Sequence, residues 1–220
     1  MTPTPIRVSA TLRGQLGHPD DGVALDALLM WARSRELGLP PVVAGEPRDT
    51  LEIPIVLAPG GRFHLCSHSL LAVERHATAW TRRRFPVREA QLFGAASVRR
   101  IGLAVGPTKS YNLPLEVGHL GGDRLEWYAV GDAAEVRRLL ALVVALGKKR
   151  GHGFGAVERW EVEPAEPWGD GFPVVRDGRA LRPLPSDWPG LVEPELAVRT
   201  LSPPYWDRTR REVVAVPHRG

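Results

Sequence analysis

The chain has 220 residues, 43% hydrophobic and 25% charged, with a formal net charge of +4. That length and mix suit one large domain or two small ones with a real core, and exclude disordered and fibrous classes. No stretch approaches the roughly 18 consecutive apolar residues of a membrane span, so no membrane partner is expected. The opening Met1-Thr2-Pro3-Thr4-Pro5 has neither the basic region nor the apolar run of a signal peptide. The single cysteine, Cys66, rules out an internal disulfide and a cysteine-cluster zinc site. A cytoplasmic protein is the expectation.

Residues 6–13 alternate Ile6, Val8, Ala10 and Leu12 with Arg7, Ser9, Thr11 and Arg13, the period of a strand with one dry face. A loop over 14–22 offers Asp20 or Asp21 as a helix cap. Leu25, Leu28, Leu29 and Ala32 then follow amphipathic-helix spacing, which should end near Gly38. Residues 51–57 and 63–66 read as strands around a turn at Pro59-Gly60-Gly61. A basic insertion covers about 67–114 and fits a hairpin better than a core helix. Residues 125–130 make a further strand candidate. Asp132 and Glu135 have capping-box spacing, and Val136, Leu139, Leu140 and Val143 give a helical stripe running to Leu146. A glycine-rich loop at 147–155 then opens a strand through 156–163.

From Pro164 onward, ten of the 21 prolines fall within 57 residues, together with Trp168, Trp188 and Trp206. So many prolines predict no regular ladder there, while the tryptophans predict packing on something. The expected organisation is a domain over 1–163 and a proline- and tryptophan-rich extension over 164–220 lying on it. The order of elements is that of a ferredoxin-like (RRM-like) α+β sandwich.

Charge is unevenly placed. Only Lys109, Lys148 and Lys149 are lysines, which leaves 26 arginines among the 29 basic residues. Between Arg75 and Ser110 the net charge is +7, against −3 for the remainder. Arginine's planar fork pairs two phosphate oxygens and stacks on bases, so this asymmetry points to an acidic polymer bound on one side.

Three stretches carry that chemistry. Gly147, Gly151, Gly153 and Gly155 interleave with Lys148, Lys149, Arg150, His152 and Phe154. Glycines at such spacing let backbone amides approach an anion and take positive φ, and a methyl on Gly151, Gly153 or Gly155 is expected to obstruct a ligand lying there. A dinucleotide fingerprint is excluded, because its glycines follow a strand and open a helix, the reverse of this order. In the second stretch, Trp80, Arg82, Arg83, Arg84 and Phe85 mix cations with aromatic rings, which suits single-stranded nucleic acid. In the third, Lys109, Ser110, Tyr111 and Asn112 supply donors for phosphate or 2′-hydroxyl groups. The glycine that a P-loop places before its lysine is missing there, which argues against nucleotide hydrolysis. His64, Cys66 and His68 alternate, but neighbours on one strand face lie roughly 7 Å apart, too far to share a tetrahedral zinc without strain. They read as ordinary strand residues, and no metal or cofactor is expected.

The run "LGKKRGHGFGAVERWEVEP", after a helix, resembles the glycine-rich loop of the RAMP superfamily of CRISPR proteins. "VSATLRGQLG" with "LDALLMWA" resembles the opening strand and helix of the type IV CRISPR subunit of the Cas-five family (Csf-three-like). "LEIPIVL", "RIGLAVGPTKSYNLPLEV", "GDAAEVRRLL", "GRALRPLP" and "SPPYW" extend that resemblance along most of the chain. It implies a non-catalytic subunit that holds the 5′ handle of the CRISPR guide RNA. It also implies a place at one end of the backbone-subunit filament, beside the large subunit, in an antiviral defence ribonucleoprotein. Target DNA near the protospacer-adjacent motif is a further candidate partner. Lys148, Lys149, Arg150 and the glycines would contact RNA, with residues 106–112 nearby. The rival implication is a metal-independent endoribonuclease processing repeat RNA, with His68, His76, Tyr111, Lys109 and His152 as its candidate groups.

Overall fold

The computed structural model describes residues 2–17, 22–40, 51–70, 73–83, 111–120, 124–148 and 150–217. At its centre lies β1 (Thr4–Arg13), paired antiparallel with β4 (Arg124–Gly131) on one side and β5 (Ala156–Pro164) on the other. The alternation seen in the sequence sends Ile6, Val8, Ala10 and Leu12 to the buried face, beside Leu125, Trp127, Ala129 and Val162. Helices α1 (Leu25–Glu36) and α2 (Ala133–Leu140) cover that face with Leu25, Leu29, Ala32, Val136, Leu139 and Leu140. Trp127 is fully buried, and its indole N–H donates to the Val23 carbonyl at 2.7 Å.

Two helix ends differ from expectation. The N-cap of α1 is Ala24, without a side-chain cap; Asp20 and Asp21 lie outside the described residues. Asp132 does cap α2, its carboxylate accepting from the amides of Ala134 and Glu135 at 2.9 and 3.2 Å. The reciprocal half of a capping box is missing, because the Asp132 amide donates to Pro54 and the Glu135 carboxylate pairs with Arg33 and Arg138. Nor does α2 reach Leu146. The chain tightens after Leu140, and Val144 then accepts from the Val157 amide, so sheet pairing takes over from helix.

Residues 55–70 run along the outer edge of β4 through single bridges, Ile55–Gly131, Cys66–Ala129 and Leu70–Glu126. Pro54, Pro59 and the two glycines after it break what the sequence suggested were continuous strands. The spatial order is this segment, then β4, β1 and β5, which is compatible with a ferredoxin-like α+β fold. From Leu70 the chain departs into an arm, β2 (Val73–Arg83) paired antiparallel with β3 (Tyr111–Leu120), and returns at β4. Residues 84–110, between these two strands in sequence, lie outside the described residues.

The C-terminal stretch does form ladders, contrary to expectation, but short ones. Here β6 (Val175–Arg176) pairs with β7 (Arg179–Ala180), while β10 (Glu212–Ala215) lies between β8 (Leu184–Pro185) and β9 (Leu196–Arg199). The two four-residue strands contain no proline, and β8 places Pro185 at the edge of its sheet, where a missing N–H costs no ladder bond. A second apolar cluster gathers Val174, Val175, Leu184, Leu201 and Val214 with Phe63 and Ala58. Among the described residues no helix is long and apolar enough to cross a membrane.

Candidate nucleic-acid interface

The glycine-rich loop stands on two feet. Leu146 donates its amide to the Gly155 carbonyl at 2.8 Å, Lys148 to Gly17 at 2.5 Å, and Gly155 to Gln15 at 2.9 Å. The buried Leu16 side chain fills the space beneath. Gly147 and Gly155 have φ of 73° and 65°, and a Cβ on them would lie 2.3 Å from the Gly17 oxygen and 2.2 Å from the Leu146 oxygen. Both contact and conformation therefore require glycine at the feet. Between them Arg150–His152 make a 3-10 turn, closed by the Gly153 amide donating to Arg150 at 3.0 Å.

The crest of the loop is open. Lys148, Arg150, Gly151 and Gly153 are exposed, and a Cβ on Gly151 or Gly153 would meet nothing within 4 Å. Of these two glycines only Gly153 has positive φ, 87°. The glycines thus divide: Gly147 and Gly155 fit the protein against itself, while Gly151 and Gly153 leave backbone accessible. Gly155 itself is buried, and a Cβ there would meet the Leu146 carbonyl before any ligand. Phe154 is half-buried, His152 is placed by its backbone in the turn, and Lys149 lies outside the described residues.

A second group sits on the arm. Register pairs Trp80 with Pro114, Arg82 with Asn112 and Arg83 with Tyr111, so two stretches far apart in sequence meet there. The Trp80 side chain is 58% exposed. Arg84, Phe85, Lys109 and Ser110 lie outside the described residues.

The open face of the central sheet is occupied by its own charges. Arg7 pairs with Glu163 at 2.7 Å, Arg124 with Glu126 and Glu161 at 3.3 and 3.5 Å, and Arg159 with Glu161 at 3.2 Å. The hydrogen bond from Arg7 holds the Glu163 carboxyl below the usual range. Tyr128 on this face is covered edge-on by Trp168 and Phe172, with centroids 4.8 and 6.1 Å away. Exposed cations at the loop contrast with neutralised ones on the sheet.

Of the histidines named for catalysis, His68 is buried and packs edge-on against Tyr205 at 5.4 Å, and His76 and His152 are placed by backbone alone. His64, Cys66 and His68 do not share one strand: they bridge to Leu57, Ala129 and Ala24 respectively. Burial lowers the pKa of His64 and raises that of Cys66.

Sequence reasoning missed Trp31. It stands outside the buried stripe of α1 and is 38% exposed. The Arg35 guanidinium lies 5.9 Å from its ring centroid, and that of Arg150, from the glycine loop, 6.0 Å. Its position off the stripe was a signal of exposure, but nothing local pointed to Arg150.

Among curated proteins the chain finds no match. Residues 71–217, more than half of it, match the family described as CRISPR type IV associated protein Csf3. That span takes in the arm, the glycine loop and the C-terminal ladders, and the chain belongs to this type IV CRISPR family.

Proposed function

We propose that the protein is a non-catalytic RNA-binding subunit of a type IV CRISPR ribonucleoprotein. In this reading it holds the 5′ handle of the guide RNA, and caps the filament of backbone subunits next to the large subunit. One observation carries the RNA assignment: a loop rigid at its feet presents exposed Lys148 and Arg150 beside the accessible backbone of Gly151 and Gly153. Such a crest suits a phosphate chain, because the backbone that carries the cations is braced at its feet before the ligand arrives and little backbone ordering entropy is lost on binding. The paired register of Arg82 with Asn112 and Arg83 with Tyr111 supports a second contact along the arm. Family membership supports the CRISPR setting.

The test mixes purified protein with an unprocessed repeat RNA. The expected outcome is tight, salt-sensitive binding with the RNA left whole. Sequence-specific cleavage, lost in His68→Ala, His76→Ala or His152→Ala, would overturn the non-catalytic assignment.

A further inference from the structure

Helix α1 divides its arginines by environment. Arg33 pairs with Glu36 at 2.7 Å and with Glu135 at 3.1 Å. Among the described residues, Arg35 and Arg150 have no carboxylate within ion-pair distance. Both instead lie against the half-exposed ring of Trp31, from two elements separated by more than a hundred residues. Two cations without a carboxylate partner among the described residues, beside a part-exposed indole, make a site for a ligand that is both anionic and flat. A nucleotide has that chemistry: guanidinium groups take phosphates, while the ring offers its face to a base.

We propose that Trp31 is a stacking platform for an unpaired base of the bound RNA, with Arg35 and Arg150 taking the phosphates on either side. This rests on the RNA-binding reading of the glycine loop. A base arriving on one face displaces one guanidinium from the ring, and the displaced group meets the neighbouring phosphate. Arg150 belongs to the loop crest and Trp31 to α1, so the platform extends the loop's contact onto the helix. Stacking does not discriminate strongly between bases, so Trp31 adds affinity for unpaired RNA of any sequence.

The experiment is an anisotropy titration of a labelled short single-stranded RNA at two ionic strengths, repeated with an oligonucleotide whose bases have been removed. Trp31→Ala is expected to weaken RNA binding roughly tenfold with an unchanged salt slope, the size of one base stack. Trp31→Phe restores most of the loss, and on the base-free strand Trp31→Ala and wild type bind alike. Arg150→Ala is expected to flatten the salt slope instead. Ultraviolet crosslinking of the wild-type complex, followed by peptide mapping, reads the contact without any variant and is expected to mark the peptide containing Trp31. If wild type binds no RNA, or loop variants leave binding unaltered, the RNA reading itself falls. If loop variants weaken binding while Trp31→Ala binds as wild type and no crosslink maps to α1, the platform alone is overturned. Full RNA affinity in Trp31→Ala, with loss of association with another type IV subunit, would assign this face to a protein and equally overturn it.

Discussion

Arg182, in the proline-rich stretch, donates to the carboxylate of Asp26 in α1 at 3.1 Å, and neither side chain exposes any surface. The same guanidinium donates to the carbonyls of His64 and Leu201 at 2.6 and 2.5 Å, and to the Tyr205 hydroxyl at 2.8 Å. Tyr205 in turn donates to Asp26 at 2.9 Å. Burial opposes the charge on Arg182, yet Tyr205 and Asp26 beside it keep its pKa raised. One buried cation therefore ties the C-terminal stretch to α1 and to the segment edging β4.

Removing one partner leaves the other charge buried and alone. Asp26→Ala is expected to cost about 3–5 kcal/mol in denaturant unfolding. The pair Asp26→Leu with Arg182→Met removes the lone charge but leaves the His64 and Leu201 carbonyls and the Tyr205 hydroxyl without their partner, so it should recover only part of that loss. A cost below about 1 kcal/mol for Asp26→Ala would show that water reaches the site.

A pH dependence comes from the ion pairs joining α1 to α2. The Arg138 hydrogen bond, with help from Arg33 and against some desolvation, holds the Glu36 carboxyl down to about 2. A carboxylate depressed in the folded state stabilises above its unfolded value of about 4.3 and loses that effect as pH falls through the folded value. Melting temperatures should thus favour wild type over Glu36→Gln at neutral pH. The difference should shrink from about pH 4.3 downward and vanish near pH 2. High salt should also reduce it, because these groups are exposed.

The two kinds of loop glycine should separate on substitution. Gly153→Ala meets no neighbour but strains a positive φ, so a loss of about 1 kcal/mol in a folded protein is expected, with weaker RNA binding. Gly155→Ala drives a methyl into the Leu146 carbonyl and should lose several times more, or fail to fold. Thermal melts followed by circular dichroism check both. Equal losses would mean that the feet yield as easily as the crest.

On the arm, replacing Arg82, Arg83 and Arg84 with Ala should weaken RNA binding and lower its salt slope by about 0.7 for each phosphate left without its arginine. Titrations at several ionic strengths measure that slope. An unchanged slope in a folded variant removes the arm from the interface.

The central strands and both helices were legible because each has one wet and one dry face, which periodicity records directly. The end of α2 was not. Val143 and Leu146 continue the apolar stripe of a helix, yet they are buried in a turn and in a loop foot that need apolar residues just as much. The proline-rich stretch hid its ladders because two- and four-residue strands are shorter than any period that can be counted. The loop could be found from its glycines and lysines. Which glycines face the protein could not, since that depends on Gln15, Leu16 and Gly17, distant in sequence. Trp31 escaped notice for the same reason.

The arm leaves the body at Leu70 and rejoins it at Arg124, and Leu70 donates its amide to the Glu126 carbonyl at 2.8 Å. Exit and entry are thus neighbours on a closed root. Neither apolar cluster draws a residue from between those two points among the described residues. Among the described residues the arm is in this sense a cassette: a change in its strands removes nothing from either cluster of the body. Changes at this position can then be tolerated while the scaffold stays fixed.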